Sequence, residues 1–183
     1  KNQGMIIRNK LRYCLLFNIL LLLFLIIMIC VYQTKSTYFR FGVPAPTDIP
    51  LIKYIAQKNK PIMLSTGMSN ISEINQAVKT IKKNNNKEIL LFHCVSGYPT
   101  PIEDINISNI TYLKKKYKCE VGLSDHTIGN IAAITSIALG VKVIEKHFTL
   151  SRKISGPDSE FSIEPNELKE LRKYTDDALK AIG

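Results

Sequence analysis

Two histidines are the residues of this sequence whose spacing most directly suggests a reaction centre. His126 and His147 are 21 residues apart, and each closes a short apolar run. This separation corresponds to one helix plus one strand, which predicts that the two histidines occupy equivalent positions on neighbouring strands about 4.8 Å apart. Both imidazoles could then bind one divalent metal ion. With no obvious third ligand, an open octahedral ion such as Mn²⁺ suits the pair better than zinc. The alternative is that each is a core histidine bonded to backbone.

Three serines occupy similar places in the pattern. Ser65, Ser96 and Ser124 each stand where an apolar run ends. The carboxyl ends of parallel strands form the active-site face of α/β folds, so polar groups there favour a binding site. The three hydroxyls could bind a phosphate, or they could be the small residues with which loops begin. Their positions alone leave both interpretations open.

The elements that would position these side chains follow a regular order. Apolar runs typical of buried parallel strands cover residues 61–66, 89–95, 120–125 and 141–149. Helical periodicity marks residues 71–84, 108–117 and 128–139, and a last helix that begins at Pro165. The order predicts a parallel α/β fold, either an open doubly wound sheet or part of a (β/α)8 barrel, which needs about 250 residues when complete. His93 directly precedes Cys94, so its side chain is on the opposite face of the strand and is predicted to lie in the core.

Charge and cysteine content exclude other classes of protein. The 183 residues carry a net charge of +10, but residues 1–40 hold six Lys or Arg and no acid. The remaining 19 basic and 15 acidic residues give +4 for residues 41–183, which is ordinary and argues against nucleic-acid binding. The four cysteines have neither disulfide-scaffold nor zinc-ligand spacing, so reduced thiols are expected.

The amino-terminal part has a different character from the rest. Residues 13–34 contain no charged side chain and are long enough to cross a bilayer as a helix. The basic flank before them predicts, by the positive-inside rule, that residues 35–183 cross the membrane. The alternative is that the apolar segment comes from an error in gene boundaries and is not native to the domain. We therefore divide the chain into residues 1–40, an apolar segment or artefact, and residues 41–183, one α/β domain.

Six sequence motifs in a fixed order resemble the sialic acid synthase family, which makes N-acetylneuraminic, pseudaminic and legionaminic acids. They are residues 65–68 (STGM), 93–96 (HCVS), 98–104 (YPTPIED), 122–127 (GLSDHT), 145–149 (EKHFT) and 156–158 (GPD). The resemblance implies a (β/α)8 barrel, of which this chain holds about the last four to five β/α units. It also implies a homodimeric enzyme that condenses phosphoenolpyruvate with an N-acetylated amino sugar, using a divalent metal, commonly Mn²⁺.

The resemblance implies a role for each candidate residue. His126 and His147 match metal ligands, and Ser65, Ser96 and Ser124 match positions around phosphoenolpyruvate. The motifs on the sugar side contain Tyr98, Glu145 and Asp158. The stretches at residues 47–50 and 156–162 look most like pseudaminic acid synthases. Because phosphoenolpyruvate is a cytosolic metabolite, the synthase domain is expected in the cytoplasm, or at the membrane if residues 13–34 are genuine.

The sequence also departs from the family pattern. Arg40 and Val43 stand where family members have a lysine and a serine that help to hold phosphoenolpyruvate, and Pro44 and Pro46 argue against a central strand there. The resemblance ends before residue 40, which suggests a fragment containing the second half of the barrel. The alternative function is a membrane-anchored, non-catalytic half-barrel with a binding or structural role.

Overall fold

The computed structural model describes residues 38–42, 45–154, 156 and 158–183. Residues 13–34 lie outside this part, and so does the prediction that they cross a membrane. Within the described residues, no helix is both long and apolar enough to span a bilayer.

Five parallel strands form one sheet in the described part of the chain. They are β1 (Phe39–Phe41), β2 (Ile62–Ser65), β3 (Ile89–Cys94), β4 (Glu120–Asp125) and β5 (Ile144–Lys146). Their order in the sheet is the same as their order in the chain, β1 to β5. A doubly wound sheet reverses its strand order at a switch point, whereas a barrel adds each strand beside the last. The fold is therefore a five-stranded half-barrel, and the predicted partial barrel is confirmed.

Within the same described residues, five α-helices connect and cover the strands. They are α1 (Ile49–Ala56), α2 (Ile71–Lys83), α3 (Asn109–Tyr117), α4 (Ile131–Ala138) and α5 (Pro165–Ile182), and a short 3₁₀ helix covers Ala45–Thr47. Local sequence features fix where two of these helices begin. Asn70 and Glu73 form a reciprocal capping box at α2, and Pro165 stands in the first turn of α5, where a proline costs no hydrogen bond. The predicted α2, α3 and α5 are confirmed to within a residue.

Four features differ from the predictions. β1 covers Phe39–Phe41, so Pro44 and Pro46 follow the strand and do not interrupt it. α4 begins at Ile131, three residues after the predicted start at residue 128. The sequence analysis did not predict α1 at all. β5 covers three residues where nine were predicted, because its pairing with β4 is limited to residues 144–146 opposite residues 123–125.

Side chains alternate between two faces of the curved sheet. The outer face lies under the helices and supplies the main core, which includes Leu64, Leu91, Val121 and Leu123 among its most buried members. The inner, concave face carries Arg40, Met63, Ser65, Phe92, Cys94, Gly122, Ser124 and Glu145. Gly122 is required there, because a Cβ atom would lie 2.7 Å from the Val143 carbonyl oxygen and 2.8 Å from the Phe92 ring. The inner face is therefore the polar one.

Candidate active site

The two predicted metal-binding histidines lie side by side. His126 directly follows the last residue of β4 and His147 directly follows the last residue of β5. Their ring centroids are 5.2 Å apart, with the ring planes inclined at 57°. The predicted proximity of the pair is thus present, at the carboxyl edge of the parallel sheet.

One nitrogen of each imidazole is already engaged. His126 Nδ1 donates to the Val95 carbonyl oxygen at 2.8 Å, and His147 Nδ1 lies 3.4 Å from Asp158 Oδ2. Metal-binding histidines commonly have such a carbonyl or carboxylate partner on the nitrogen that does not bind the metal. The pair therefore fits a metal ion held through the two Nε2 atoms.

The described residues offer the ion few further ligands. Among them, no group of three or more His, Cys, Asp or Glu side chains is arranged to hold a metal. Two imidazoles with open positions suit an octahedral ion that takes its other ligands from water and substrate.

The surroundings move the two histidine pKa values apart. Burial alone would lower the pKa of His126, but its contacts with Cys94 and the Val95 carbonyl outweigh burial and raise that pKa. Burial also lowers the pKa of His147, and the neighbouring His126 lowers it further. Together they outweigh Asp158, which alone would raise this pKa. Because two protonated rings this close repel each other, the pair favours at most one positive charge.

Two aromatic rings border the histidine pair. The Tyr98 ring lies 4.3 Å from His126 and 5.8 Å from His147, between centroids. Phe161 lies 5.6 Å from Tyr98 and 5.2 Å from His147. Burial raises the pKa of the Tyr98 hydroxyl, so the phenol stays protonated at neutral pH. Tyr98 and Asp158 are therefore brought to the histidines as one cluster, and Phe161 joins them without having been predicted.

The three predicted serines differ in their surroundings. Ser65 Oγ accepts from the Gly67 amide at 3.4 Å, and Ser124 Oγ donates to Glu145 Oε1 at 2.8 Å. Ser96 Oγ is buried and makes no hydrogen bond of good geometry among the described residues, although its interaction with the Tyr98 hydroxyl acts to lower the pKa of that tyrosine. A buried hydroxyl without a partner is costly, so this atom is a natural contact for a ligand.

Cys94 lies among these hydroxyls and was not predicted as a site residue. Its register partner across the sheet is Ser124, and its Sγ is 4.0 Å from His126 Nδ1. Burial would raise the pKa of the thiol, but hydrogen bonds from His126, Ser65 and Ser124 lower it overall. Alternation along β3 could have identified Cys94, because it shares its face with Ser96.

An ion pair crosses the inner face from one edge of the described sheet to the other. Arg40 of β1 donates through Nε to Glu145 Oε2 of β5 at 2.7 Å, and its NH2 group contacts Oε1. The guanidinium lies over the Phe92 ring, 4.7 Å from its centroid. Burial alone would raise the pKa of Glu145, but Arg40 outweighs burial and lowers it. Sequence reasoning noted Arg40 only as a departure and did not find its contact with Glu145.

Two charged residues that neighbour the candidate site residues in the sequence lie on the outer face of the sheet. Lys146 Nζ lies 2.8 Å from Asp125 Oδ2 and donates to the Thr127 carbonyl oxygen at 2.6 Å. The two side chains are 4% and 0% exposed, so this is a buried ion pair on the outer face. His93 is also on that face, with Nε2 2.6 Å from the Ile105 carbonyl oxygen. It is the core histidine that its position in the strand predicts.

The curved sheet defines half of a barrel of the TIM type, and the candidate site lies at the strand ends, where barrels of this type usually have their active site. The chain belongs to the NeuB family, whose sequence profile matches residues 30–183.

Comparison with curated proteins gives relatives of stated function. The chain is 45% identical to N,N'-diacetyllegionaminic acid synthase of Campylobacter jejuni over 147 residues, 78% of this chain and 44% of that protein. It is 39% identical to pseudaminic acid synthase of the same species over 136 residues, 74% of this chain and 40% of that protein. The chain thus spans less than half the length of these two relatives.

A solved structure agrees in both sequence and fold. The N-acetylneuraminic acid synthetase of Leptospira borgpetersenii, crystallised with citrate, is 36% identical and superposes with a TM-score of 0.77. The match covers 81% of this chain and 52% of the other. The relatives are thus synthases of sialic-type acids, as the sequence motifs predict.

Proposed function

We propose that the described half-barrel forms one wall of a nonulosonic acid synthase site, which condenses phosphoenolpyruvate with an N-acetylated amino sugar. The observation that carries the proposal is the pairing of His126 with His147, each with Nδ1 engaged, at the strand ends of a NeuB-family half-barrel. The proposal places this site in the cytosol, where phosphoenolpyruvate is made.

His126 and His147 would hold a divalent metal ion, for which we propose Mn²⁺. When bound, it supplies Lewis-acid polarisation of the sugar's aldehyde oxygen. The role of the protein around the pair is to fix the orientation of each ring through Nδ1, by the Val95 carbonyl and Asp158, so that Nε2 is the nitrogen offered to the ion.

Phosphoenolpyruvate would lie along the inner face between the serines and Arg40. Ser65, Ser96 and Ser124 offer hydroxyl groups to its phosphate and carboxylate, and the orphaned Ser96 Oγ gains a partner on binding. Arg40 is the cation of this face, and a guanidinium can form paired hydrogen bonds to phosphate or carboxylate. In the free protein, Glu145 accepts these hydrogen bonds from the Arg40 guanidinium.

The sugar would lie against Tyr98, with Glu145 and Asp158 at the reacting end. The enolpyruvate carbon attacks the aldehyde carbon and forms the new C–C bond. Water then adds to the resulting cation and phosphate leaves. Glu145 is placed to accept a proton, because its lowered pKa keeps it ionised at neutral pH. Tyr98 stays protonated and can donate a hydrogen bond to the sugar.

The identity of the amino sugar remains a prediction. The motifs at residues 47–50 and 156–162 favour a pseudaminic-type sugar, and the relatives named above include both a pseudaminic and a legionaminic acid synthase. Parallel assays with the two sugars and with N-acetylmannosamine measure the preference. Equal or better turnover of N-acetylmannosamine would move the assignment to sialic acid synthesis.

A hybrid enzyme tests the proposal, because the chain spans less than half of its relatives. Residues 39–183 replace the aligned segment of the Campylobacter jejuni legionaminic acid synthase, and phosphate release from phosphoenolpyruvate is measured with and without Mn²⁺. We expect sugar-dependent, metal-dependent turnover. The 183-residue chain alone should show none, because the described strands supply one wall of the site. A folded hybrid without turnover would contradict the proposal and favour the non-catalytic alternative.

A further inference from the structure

The two histidines of the candidate site stand just beyond the paired part of their strands. The pairing of β4 with β5 ends where Asp125 lies opposite Lys146, so the ladder itself does not hold His126 beside His147. A metal ion bound by both rings needs a nitrogen of each at about 2 Å, and such a site tolerates displacements of only about 0.5 Å. Contacts other than the ladder must therefore fix the backbone at one histidine relative to the other.

A buried ammonium group makes contacts of this kind. Lys146 Nζ donates to Asp125 Oδ2 at 2.8 Å and to the Thr127 carbonyl oxygen at 2.6 Å. The two acceptors belong to the residues immediately before and after His126, and Lys146 itself immediately precedes His147. One side chain thus joins both neighbours of the first histidine to the strand that leads to the second.

The backbone around His126 forms a closed turn, to which this ammonium group is attached. Asp125 Oδ1 accepts from the Thr127 amide at 2.9 Å and from the Thr127 hydroxyl at 2.8 Å. An aspartate that accepts from the backbone two residues further on holds a tight turn. The carbonyl oxygen of His126, the residue between them, accepts from the Thr100 amide at 2.9 Å. The turn at residues 125–127 is therefore a defined unit, and Lys146 links it to β5.

The burial of this ion pair suggests a role beyond stability. The Lys146 and Asp125 side chains are 4% and 0% exposed. Removing two charges from water is costly, and well-packed apolar residues of similar volume are often equally or more stabilising. An ammonium group that donates to two fixed acceptors, however, specifies a position in a way that apolar contacts do not. The pair is therefore well suited to set geometry.

We propose that Lys146 is a positioning residue for the histidine pair. It holds the turn at residues 125–127 against β5 and so keeps the His126 ring beside the His147 ring, with 5.2 Å between their centroids. Lys146 lies on the outer face of the sheet and acts through the backbone, without touching the ion. The inference rests on the proposed function, because it takes the two imidazoles to bind one metal ion.

Binding of Cu²⁺ to the full 183-residue chain tests the inference. Cu²⁺ binds a given set of ligands more tightly than the other divalent ions of its row, and pulsed EPR counts its imidazole ligands from their remote nitrogens. The chain has three histidines, and Nε2 of His93 is engaged by the Ile105 carbonyl oxygen on the outer face. The wild type should therefore show the His126 and His147 imidazoles, and His126→Ala supplies the signal of one.

The double variant D125N/K146M removes the link without leaving a buried charge. Asparagine keeps an acceptor for Thr127, and methionine keeps most of the length of the lysine stem. We expect Cu²⁺ affinity to fall by about 10–100-fold, as for other residues that orient metal ligands, and the EPR signal to change from two imidazoles to one. D125N/K146Q is a second variant with the same expected change, which decides the question if the first does not fold.

His93→Ala is the control for a general loss of stability. It removes a buried side chain from the same face of the sheet but should keep two imidazoles and the wild-type affinity. Two imidazoles and wild-type affinity in a folded double variant would overturn the inference alone. An equal loss of affinity in His93→Ala would also overturn it, because instability would then explain the effect. A wild type that binds Cu²⁺ through one imidazole would contradict the paired site of the proposed function, and the inference would fall with it.

Discussion

The outer face of the sheet packs against helices, whereas the inner face carries the polar groups of the site. Each face of the described sheet has an ion pair that joins two elements, and these two pairs differ in exposure. Lys146 and Asp125 on the outer face are 4% and 0% exposed, while Arg40 and Glu145 on the inner face are 22% and 38% exposed. The first pair is enclosed by the protein, so that loss of either partner would leave a buried charge. The second remains within reach of a ligand that could replace one partner.

The difference is created by single-residue alternation. In the motif Ser124-Asp125-His126, the first and third side chains belong to the candidate site and the middle one to the buried pair. The motif at residues 145–147 divides in the same way. Neighbours in the sequence therefore have different roles, and replacing them should produce effects of different kinds.

The largest expected effect is on the outer face, where Lys146→Met leaves Asp125 as a buried charge without its partner. Such a loss costs about 3–5 kcal/mol of stability. Urea unfolding of the chain measures it. Lys142→Met is the matched control, because the Lys142–Glu120 pair links the start of β4 to the segment before β5 but is 68% and 56% exposed. Its loss should cost at most about 1 kcal/mol. Equal losses in the two variants would contradict the distinction between the faces.

The next effect belongs to the inner face and concerns metal binding. His126→Ala in the hybrid enzyme should weaken Mn²⁺ binding more than about 100-fold, since even the loss of a residue that only orients a ligand costs 10–100-fold. Titration calorimetry measures the affinity. His93→Ala is the control: it removes a buried imidazole from the outer face and should lower stability while metal affinity stays the same. The reverse result, with His93 needed for the metal and His126 dispensable, would show that the site is wrongly assigned.

The smallest effect is a pH dependence from His93. Burial lowers the pKa of His93 below its ordinary value of 6.5, although the Ile105 carbonyl opposes this. As the pH falls, the unfolded chain therefore binds a proton at this histidine before the folded protein does. The contribution of neutral His93 to stability is complete above pH 6.5, and it is lost as the pH falls through the lowered pKa of the folded protein. Unfolding free energies of the wild type and His93→Gln, compared on both sides of pH 6.5, should show a steeper acid loss in the wild type. Parallel pH profiles would contradict the assignment.

The sequence predicted most of the fold, because each of β2 to β4 is an apolar run and each of α2, α3 and α5 has clear periodicity. It missed β1, which is followed by Pro44 and Pro46, residues that argue against a strand. It also missed α1, which covers only eight residues, although Asp48 and Pro50 are typical of a helix start. The histidine pair was predictable from spacing, since one β/α unit separates its members. The contact between Arg40 and Glu145 was not, because it depends on the curvature of the whole sheet.

That contact has a consequence for how the protein is made. The two residues are 105 positions apart in the chain, and they meet only when all the strands between them have paired. Contacts of such long range form late, because the entropy of closing the loop must be overcome first. During synthesis, Arg40 leaves the ribosome long before Glu145 and stands on a growing sheet whose newest strand has an open edge. A partly synthesised chain is therefore the form most prone to pairing with other chains, and the charge of Arg40 is matched only after Glu145 has been synthesised.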